Sequence, residues 1–181
     1  SNALKCGTES CGDFKNIAFT NCTIFSQPDK WKRQATAGVA IESVDGANID
    51  RIVISNVAME GVRAPIFIRL GNRGQALTPP TPGTLQNISI SNIVATGATL
   101  ASSITGIPGH PIRHVSLSNI RIQAAGGGVT REFEIEEDIA KYPGADMFGE
   151  LPAYGLFCRH IEDLNLSEVS LNTEARDARP A

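Results

Sequence analysis

Leu85-Gln86-Asn87-Ile88-Ser89-Ile90-Ser91-Asn92-Ile93 is the stretch whose reading decides the fold. Its apolar residues stand at the first, fourth, sixth and ninth places, and the middle alternation is that of a strand with one face inward. The same rhythm returns at residues 14–22, 49–57, 112–120 and 161–169, so the chain is an internal repeat. The eighth place holds Asn21, Asn56, Asn92 and Asn119, then Glu168. A recurring amide at a strand corner predicts a ladder of side chains hydrogen-bonded from one repeat to the next.

Between these segments lies a second set of apolar runs: Leu4-Lys5-Cys6, Gly38-Val39-Ala40-Ile41-Glu42, Pro65-Ile66-Phe67-Ile68-Arg69-Leu70, Ser103-Ile104-Thr105-Gly106-Ile107 and Tyr154-Gly155-Leu156-Phe157-Cys158-Arg159. Repeat starts are 35, 36, 27 and 49 residues apart, so strands are kept while loops vary in length. Two alternating strand families with elastic loops predict an all-β parallel solenoid of about five coils, roughly 24 Å long at the usual strand spacing. A sandwich would need hairpin joints, and no Asn-Gly or Gly-Gly dipeptide stands at them.

Composition narrows the function. The 181 residues are 41% hydrophobic and 19% charged, in the range of one globular domain. Sixteen basic against nineteen acidic residues give a net charge of −3, which supplies no cationic face for nucleic acid. No window approaches the length of a membrane span. The four cysteines, Cys6, Cys11, Cys22 and Cys158, lack zinc-site spacing and read as buried thiols, with a disulfide among the first three as the alternative. The histidines His110, His114 and His160 share no metal-ligand spacing, and neither metal nor cofactor is expected.

Ser1-Asn2-Ala3 reads as the scar of a removed tag, residues 4–172 as the coils, and 173–181 as a flexible tail. The excursion at 124–153 contains Gly126-Gly127-Gly128 and then Glu132, Glu134, Glu136, Glu137 and Asp138. It is expected to hold a helical turn or two, with its charges as a solvated face. The proline-rich stretch 77–83 reads as a stiff loop beside the sheet.

Alternation along the second strand set turns Val39, Ile41, Ile66, Ile68, Leu156 and Cys158 inward, and Lys5, Ala40, Glu42, Phe67, Arg69, Phe157 and Arg159 outward. Stacked, the outward residues form a column of cations, carboxylates and aromatic rings, the chemistry of a polysaccharide groove. Lys5 and Arg69 are the leading binding candidates, joined by Glu9, Glu42, Phe67 and Arg159. An ion pair between Arg69 and Glu42 is the plainer reading of those two. Glu42 and Asp45 are the nearest approach to a catalytic carboxylate pair, although Asp45-Gly46 also reads as a turn. Trp31 could stack on a sugar or cover a coil edge.

The wording of these segments is familiar: Gly7-Thr8-Glu9-Ser10, Asn16-Ile17, Gly38-Val39-Ala40-Ile41-Glu42-Ser43, Ala64-Pro65-Ile66-Phe67-Ile68-Arg69-Leu70-Gly71, then Tyr142-Pro143, Met147-Phe148-Gly149 and Leu151-Pro152-Ala153-Tyr154-Gly155-Leu156-Phe157-Cys158-Arg159-His160. In order and content they resemble glycoside hydrolase family 28, the polygalacturonase-like enzymes, and especially their bacterial branch. The resemblance implies a right-handed single-stranded parallel β-helix of the pectin-lyase-like type. It implies a secreted or periplasmic enzyme that hydrolyses pectic, acidic polysaccharide with inversion through paired aspartates.

The family's Asn-Thr-Asp, Asp-Asp, Gly-His-Gly and Arg-Ile-Lys motifs are not intact; Ala40-Ile41-Glu42 stands in place of the last. The aspartates are therefore expected upstream, with this chain forming later coils and part of the groove. A polysaccharide lyase and a non-catalytic carbohydrate-binding or structural solenoid are the rival readings. Copies are further expected to associate through the first coil, whose edge is unpaired.

Overall fold

A computed structural model of the chain describes residues 1–27, 34–75, 77–130, 132 and 134–181. It contains ten strands: β1 (Asn2–Cys6), β2 (Phe14–Phe25), β3 (Ala37–Ser43), β4 (Asn48–Glu60), β5 (Ala64–Leu70), β6 (Thr84–Ala98), β7 (Ser102–Thr105), β8 (Ile112–Gly126), β9 (Leu156–Arg159) and β10 (Ile161–Ala175). Odd-numbered strands form one five-stranded sheet in the order β1-β3-β5-β7-β9, and even-numbered strands form the other in the order β2-β4-β6-β8-β10. Every pairing is parallel. This all-β, two-sheet arrangement is consistent with a parallel β-helix, since parallel neighbours require the chain to cross away and return between them.

The repeat explains the shape of the long even strands. Each bends at two residues with positive φ: Asn16, Arg51, Asn87, His114 and Asp163 at the third place, and Asn21, Asn56, Asn92, Asn119 and Glu168 at the eighth. A left-handed residue interrupts the alternation of side chains. The apolar spacing is therefore three residues across each corner and two along the leg between them. In β4 this turns Ile49, Ile52, Ile54, Val57 and Met59 all inward, and all five are buried. Asparagine tolerates this conformation better than most residues, which accounts for its recurrence.

The expected ladder is present. Asn56 Nδ2 donates to Asn21 Oδ1 at 3.0 Å, Asn92 to Asn56 at 2.9 Å and Asn119 to Asn92 at 2.8 Å. The third-place corners are bridged less regularly, by Arg51 Nε to Asn16 Oδ1 at 2.7 Å and by His114 Nδ1 with Asp163 Oδ2 at 2.7 Å.

The core lies between the sheets, where Val39, Ile41, Ile66, Ile68 and Ile104 of the odd sheet meet the inward residues of the even sheet. A second, smaller apolar cluster sits on the opposite face of the odd sheet. There Ala37, Ala40, Ala64 and Phe67 pack against Ala145 and Met147 of the excursion between β8 and β9. Strands β3 and β5 are consequently buried on both faces.

Several boundaries differ from the sequence reading. Asn2 and Ala3 belong to β1, with Asn2 in register with Ala37. β8 extends to Gly126 and β10 to Ala175, so the excursion and the tail both begin later than expected. The tail is packed: Tyr154 N donates to Pro180 O at 2.9 Å, and Arg179 Nη2 meets Asp177 Oδ2 at 2.7 Å. Among the described residues the excursion holds turns and no helix. No helix is long and apolar enough to cross a membrane among those residues. All four cysteines are free, and only Cys6 is buried; Cys11 and Cys158 are exposed because they stand in a turn and at the last strand of the odd sheet.

Candidate functional site

The outer face of the odd sheet carries the residues expected to form a groove, and most of it is covered. Phe67 and Arg69 point out of the sheet as alternation requires, yet are 0% and 1% exposed. Phe67 packs against Ala145 and Met147, and Arg69 lies under the backbone of residues 137 and 138. Arg69 Nη2 donates to Glu137 O at 2.7 Å and Asp138 O at 3.2 Å, while its Nη1 donates to Thr105 Oγ1 and Gly106 O, both at 3.2 Å. Arg159 repeats the device, reaching Ile135 O at 2.7 Å and Glu136 O at 2.9 Å.

Phe148 lies between the two cations, its ring centroid 5.4 Å from Arg69 Cζ and 5.7 Å from Arg159 Cζ. Burial, with the charge of Arg159 adding to it, pulls the Arg69 guanidinium down to about 10, still cationic at neutral pH. The acidic run is thus a strap, and its treatment as a purely solvated face is corrected. Its carbonyls accept from the buried Arg69 and the half-buried Arg159, and Glu137 Oε1 also meets His160 Nε2 at 2.9 Å.

The surface ion pair expected between Arg69 and Glu42 is replaced by separate arrangements. Glu42 and Arg69 are neighbours in register, but the partners of Glu42 come from the first strand and the turn after it. Lys5 Nζ is 3.0 Å from Glu42 Oε2, Asn2 Nδ2 donates to Oε1 at 3.1 Å, and the Thr8 hydroxyl donates a short hydrogen bond to Oε2. Glu42 is 0% exposed, so a carboxylate expected to face substrate is enclosed. The reason is register: Lys5 stands opposite Ala40, whose small side chain lets the lysine cross over it.

Asp45 is also enclosed. Arg73 grips it through Nη2 and through Nε at 3.1 Å, Gln75 N donates to it at 3.2 Å, and Arg73 Nη1 reaches on to Glu9 Oε1 at 3.2 Å. The Arg73 hydrogen bonds hold the Asp45 carboxyl below its ordinary range, and Arg73 is itself raised. A carboxyl held low is ionised at neutral pH and has no proton to donate, so Asp45 does not suit the role of general acid.

The sign of its linkage follows. Stabilisation by Asp45 is present above its unfolded value of about 3.9 and is lost as pH falls through the lower folded value. Urea midpoints of the wild type should therefore drop more steeply below about pH 4 than those of Asp45→Asn. Parallel profiles would refute this.

What stays open is the end of the face beside β1. Two adjoining hollows of about 590 and 430 Å3 meet there, and both are lined by Lys5 and Tyr142. Lys141, Asn2 and Met147 line the larger, and Thr8, Glu9 and Phe14 the smaller. Tyr142 is 56% exposed, with the Arg73 guanidinium 5.3 Å from its ring centroid. A separate hollow of about 510 Å3 is lined by Arg63 and Arg179, but these are paired with Asp146 and Asp177.

Of the residues singled out in the sequence, the cleft brings together Lys5 and Glu9, with Glu42 enclosed beneath. Phe67, Arg69 and Arg159 lie under or against the strap. Trp31 lies outside the described residues. Tyr142, Lys141 and Arg73 were missed as site residues; a tyrosine beside a lysine just after the acidic run was the available signal. Among the described residues no group of three or more His, Cys, Asp or Glu is placed to hold a metal. No family model, no curated protein and no solved structure matches this chain.

Proposed function

We propose that this chain forms the glycan-binding end of a polygalacturonase-like glycosidase of family 28, and that its ten strands are about five coils of a right-handed parallel β-helix. The observation that carries the reading is the cleft lined by the exposed Tyr142 ring together with Lys5 and Lys141, whose ammonium groups are held by Glu42 and by Asp138 and the Met147 carbonyl. An aromatic face packs on a sugar ring, and each ammonium keeps a donor beyond these partners for an oxygen of an acidic polysaccharide. The hollows fall within the size range of small-ligand sites. Glu9 supplies a hydrogen-bond acceptor for hydroxyls, its side chain 69% exposed.

Inverting hydrolysis needs an acid and a base on opposite sides of the scissile bond. Glu42 and Asp45 are both enclosed by their partners, so the proposed role of this chain is to bind and orient, with the reacting carboxyls supplied by other parts of a secreted or periplasmic parent. The same enclosure favours, as a second reading, a carbohydrate-binding solenoid that does not cleave.

The test is NMR titration of the chain with galacturonate oligosaccharides and neutral oligosaccharides of equal length. The acidic series should bind more tightly, Tyr142→Ala should weaken it about tenfold, and anomeric signals of product should not appear. Equal affinity for both series, or none, would remove the acidic-glycan reading. An unsaturated, calcium-dependent product would select a lyase.

A further inference from the structure

The hollow of about 510 Å3 lined by Arg63 and Arg179 shares only Asp146 with the larger hollow beside Lys5 and Tyr142. Its walls are firmly built. Arg63 N donates to Ala35 O at 3.0 Å, and Arg63 O accepts from Thr99 N and Leu100 N, both at 2.9 Å, so the corner before β5 is stitched to the coils on either side. In the turn at 144–149, Ala145 and Met147 are buried against the odd sheet, which leaves the Asp146 side chain between them half exposed. On another side, a Cβ at Gly128 would stand 2.1 Å from Arg179 Nε, so glycine is what makes room for that guanidinium. Arg179 is in turn spent on the buried Asp177, through Nε at 2.9 Å and Nη2 at 2.7 Å, and on Leu151 O at 3.3 Å.

The Arg63 and Asp146 pair is only partly used. Arg63 Nη1 donates to Asp146 Oδ2 at 2.8 Å, and among the described residues Arg63 Nε, Arg63 Nη2 and Asp146 Oδ1 have no partner. The hollow is thus offered two donors and an acceptor from one ion pair, together with apolar surface from Leu100, Ala101 and Leu151. A hydroxyl both donates and accepts, so two adjacent hydroxyls satisfy such a pair, whereas a carboxylate only accepts. An anion taken up by Arg63 would also lie beside Asp146, with Glu150 lining the same hollow and Arg179 already matched by Asp177. Like charges brought together in this way oppose binding.

We infer that this hollow is a binding site for a neutral sugar residue, held by Arg63 and Asp146 through a pair of adjacent hydroxyls. Its volume lies in the range of small-ligand sites. The inference goes beyond the acidic-glycan reading and stands without it, because Lys5, Lys141 and Tyr142 take no part.

The experiment titrates the whole chain, by NMR, with the methyl glycosides of galactose, glucose, mannose and xylose, and with methyl galacturonoside. The last differs from the galactoside only in carrying a carboxylate at C6. The arginine Nε–H signals report the place of binding, and the signal missing from Arg63→Met identifies Arg63. At least one neutral glycoside should shift that signal, and galacturonoside should shift it less than galactoside does. Arg63→Met and Asp146→Ala should each weaken the neutral sugar about tenfold, while Tyr142→Ala leaves it unchanged. Both side chains of the pair are partly exposed, at 34% and 50%, so the thermal midpoints of the two variants should stay close to that of the wild type. An Arg63 signal unmoved by all four neutral glycosides, or moved most by galacturonoside, would overturn the inference. Neutral-sugar binding that survives Arg63→Met, or that is lost with Tyr142→Ala, would overturn it too.

Discussion

Replacing Arg69 by alanine is expected to cost about 3–5 kcal/mol and to release the strap. The guanidinium is 1% exposed and donates to Thr105 Oγ1, Gly106 O, Glu137 O and Asp138 O. Its removal takes the donor from Thr105 Oγ1, Gly106 O and Glu137 O, while Asp138 O keeps only Lys141 N; it also opens a cavity above Thr105 and takes one cation from the face of Phe148. The carbonyls on the strap regain water only if the strap lifts, and lifting exposes Phe67, Met147 and Ala145. Against a typical total stability of 5–15 kcal/mol the loss is large.

Two measurements check it. The urea midpoint should fall sharply, and trypsin should cut after Lys141 much faster than in the wild type. Arg69→Lys should recover only part of the loss, because one ammonium cannot span acceptors on both the sheet and the strap. Wild-type cleavage kinetics in Arg69→Ala would mean that Arg69 does not hold the strap.

Glu42→Ala is the second large effect, expected at about 2–3 kcal/mol, with Glu42→Gln costing about 1. Alanine leaves Asn2 and Thr8 without their acceptor and Lys5 without its counter-charge. Lys5 is 29% exposed and regains water, which keeps the loss at the lower end for a broken buried pair. Glutamine keeps the shape and one of the two acceptor oxygens, but not the charge. Thermal unfolding of the two variants checks the order. The comparison also separates a structural carboxylate from a catalytic one. If Glu42→Gln folded with wild-type stability and abolished the glycan binding proposed for the cleft, the structural assignment of Glu42 would fail.

The repeat was legible because its signal is local. Five segments with the same apolar spacing fixed which residues turn inward, and the strands, their parallel pairing and the Asn21-Asn56-Asn92-Asn119 ladder follow from it. The companion corner at Asn16, Arg51, Asn87, His114 and Asp163 has the same positive φ but no common residue type, so inspection of identities passed over it. The three-residue gap between the first and fourth apolar places was the trace it left.

The site was legible only in its alternation. Outward-pointing Glu42, Phe67 and Arg69 were identified, but outward was taken to mean accessible. What covers them is a segment 68 residues further on, and it binds Arg69 through backbone carbonyls that every sequence contains. Side-chain patterning carries no record of which carbonyls converge on which guanidinium. The sequence alone determined the strand pattern, the inward set and the corner amides, since these depend on neighbours within one turn of the chain. The tertiary structure decided which outward residues are sealed, which charges are paired, and that the open cleft lies at Lys5 and Tyr142. Those outcomes depend on contacts between segments far apart in the chain, where burial and hydrogen-bond geometry are set by the assembled surfaces.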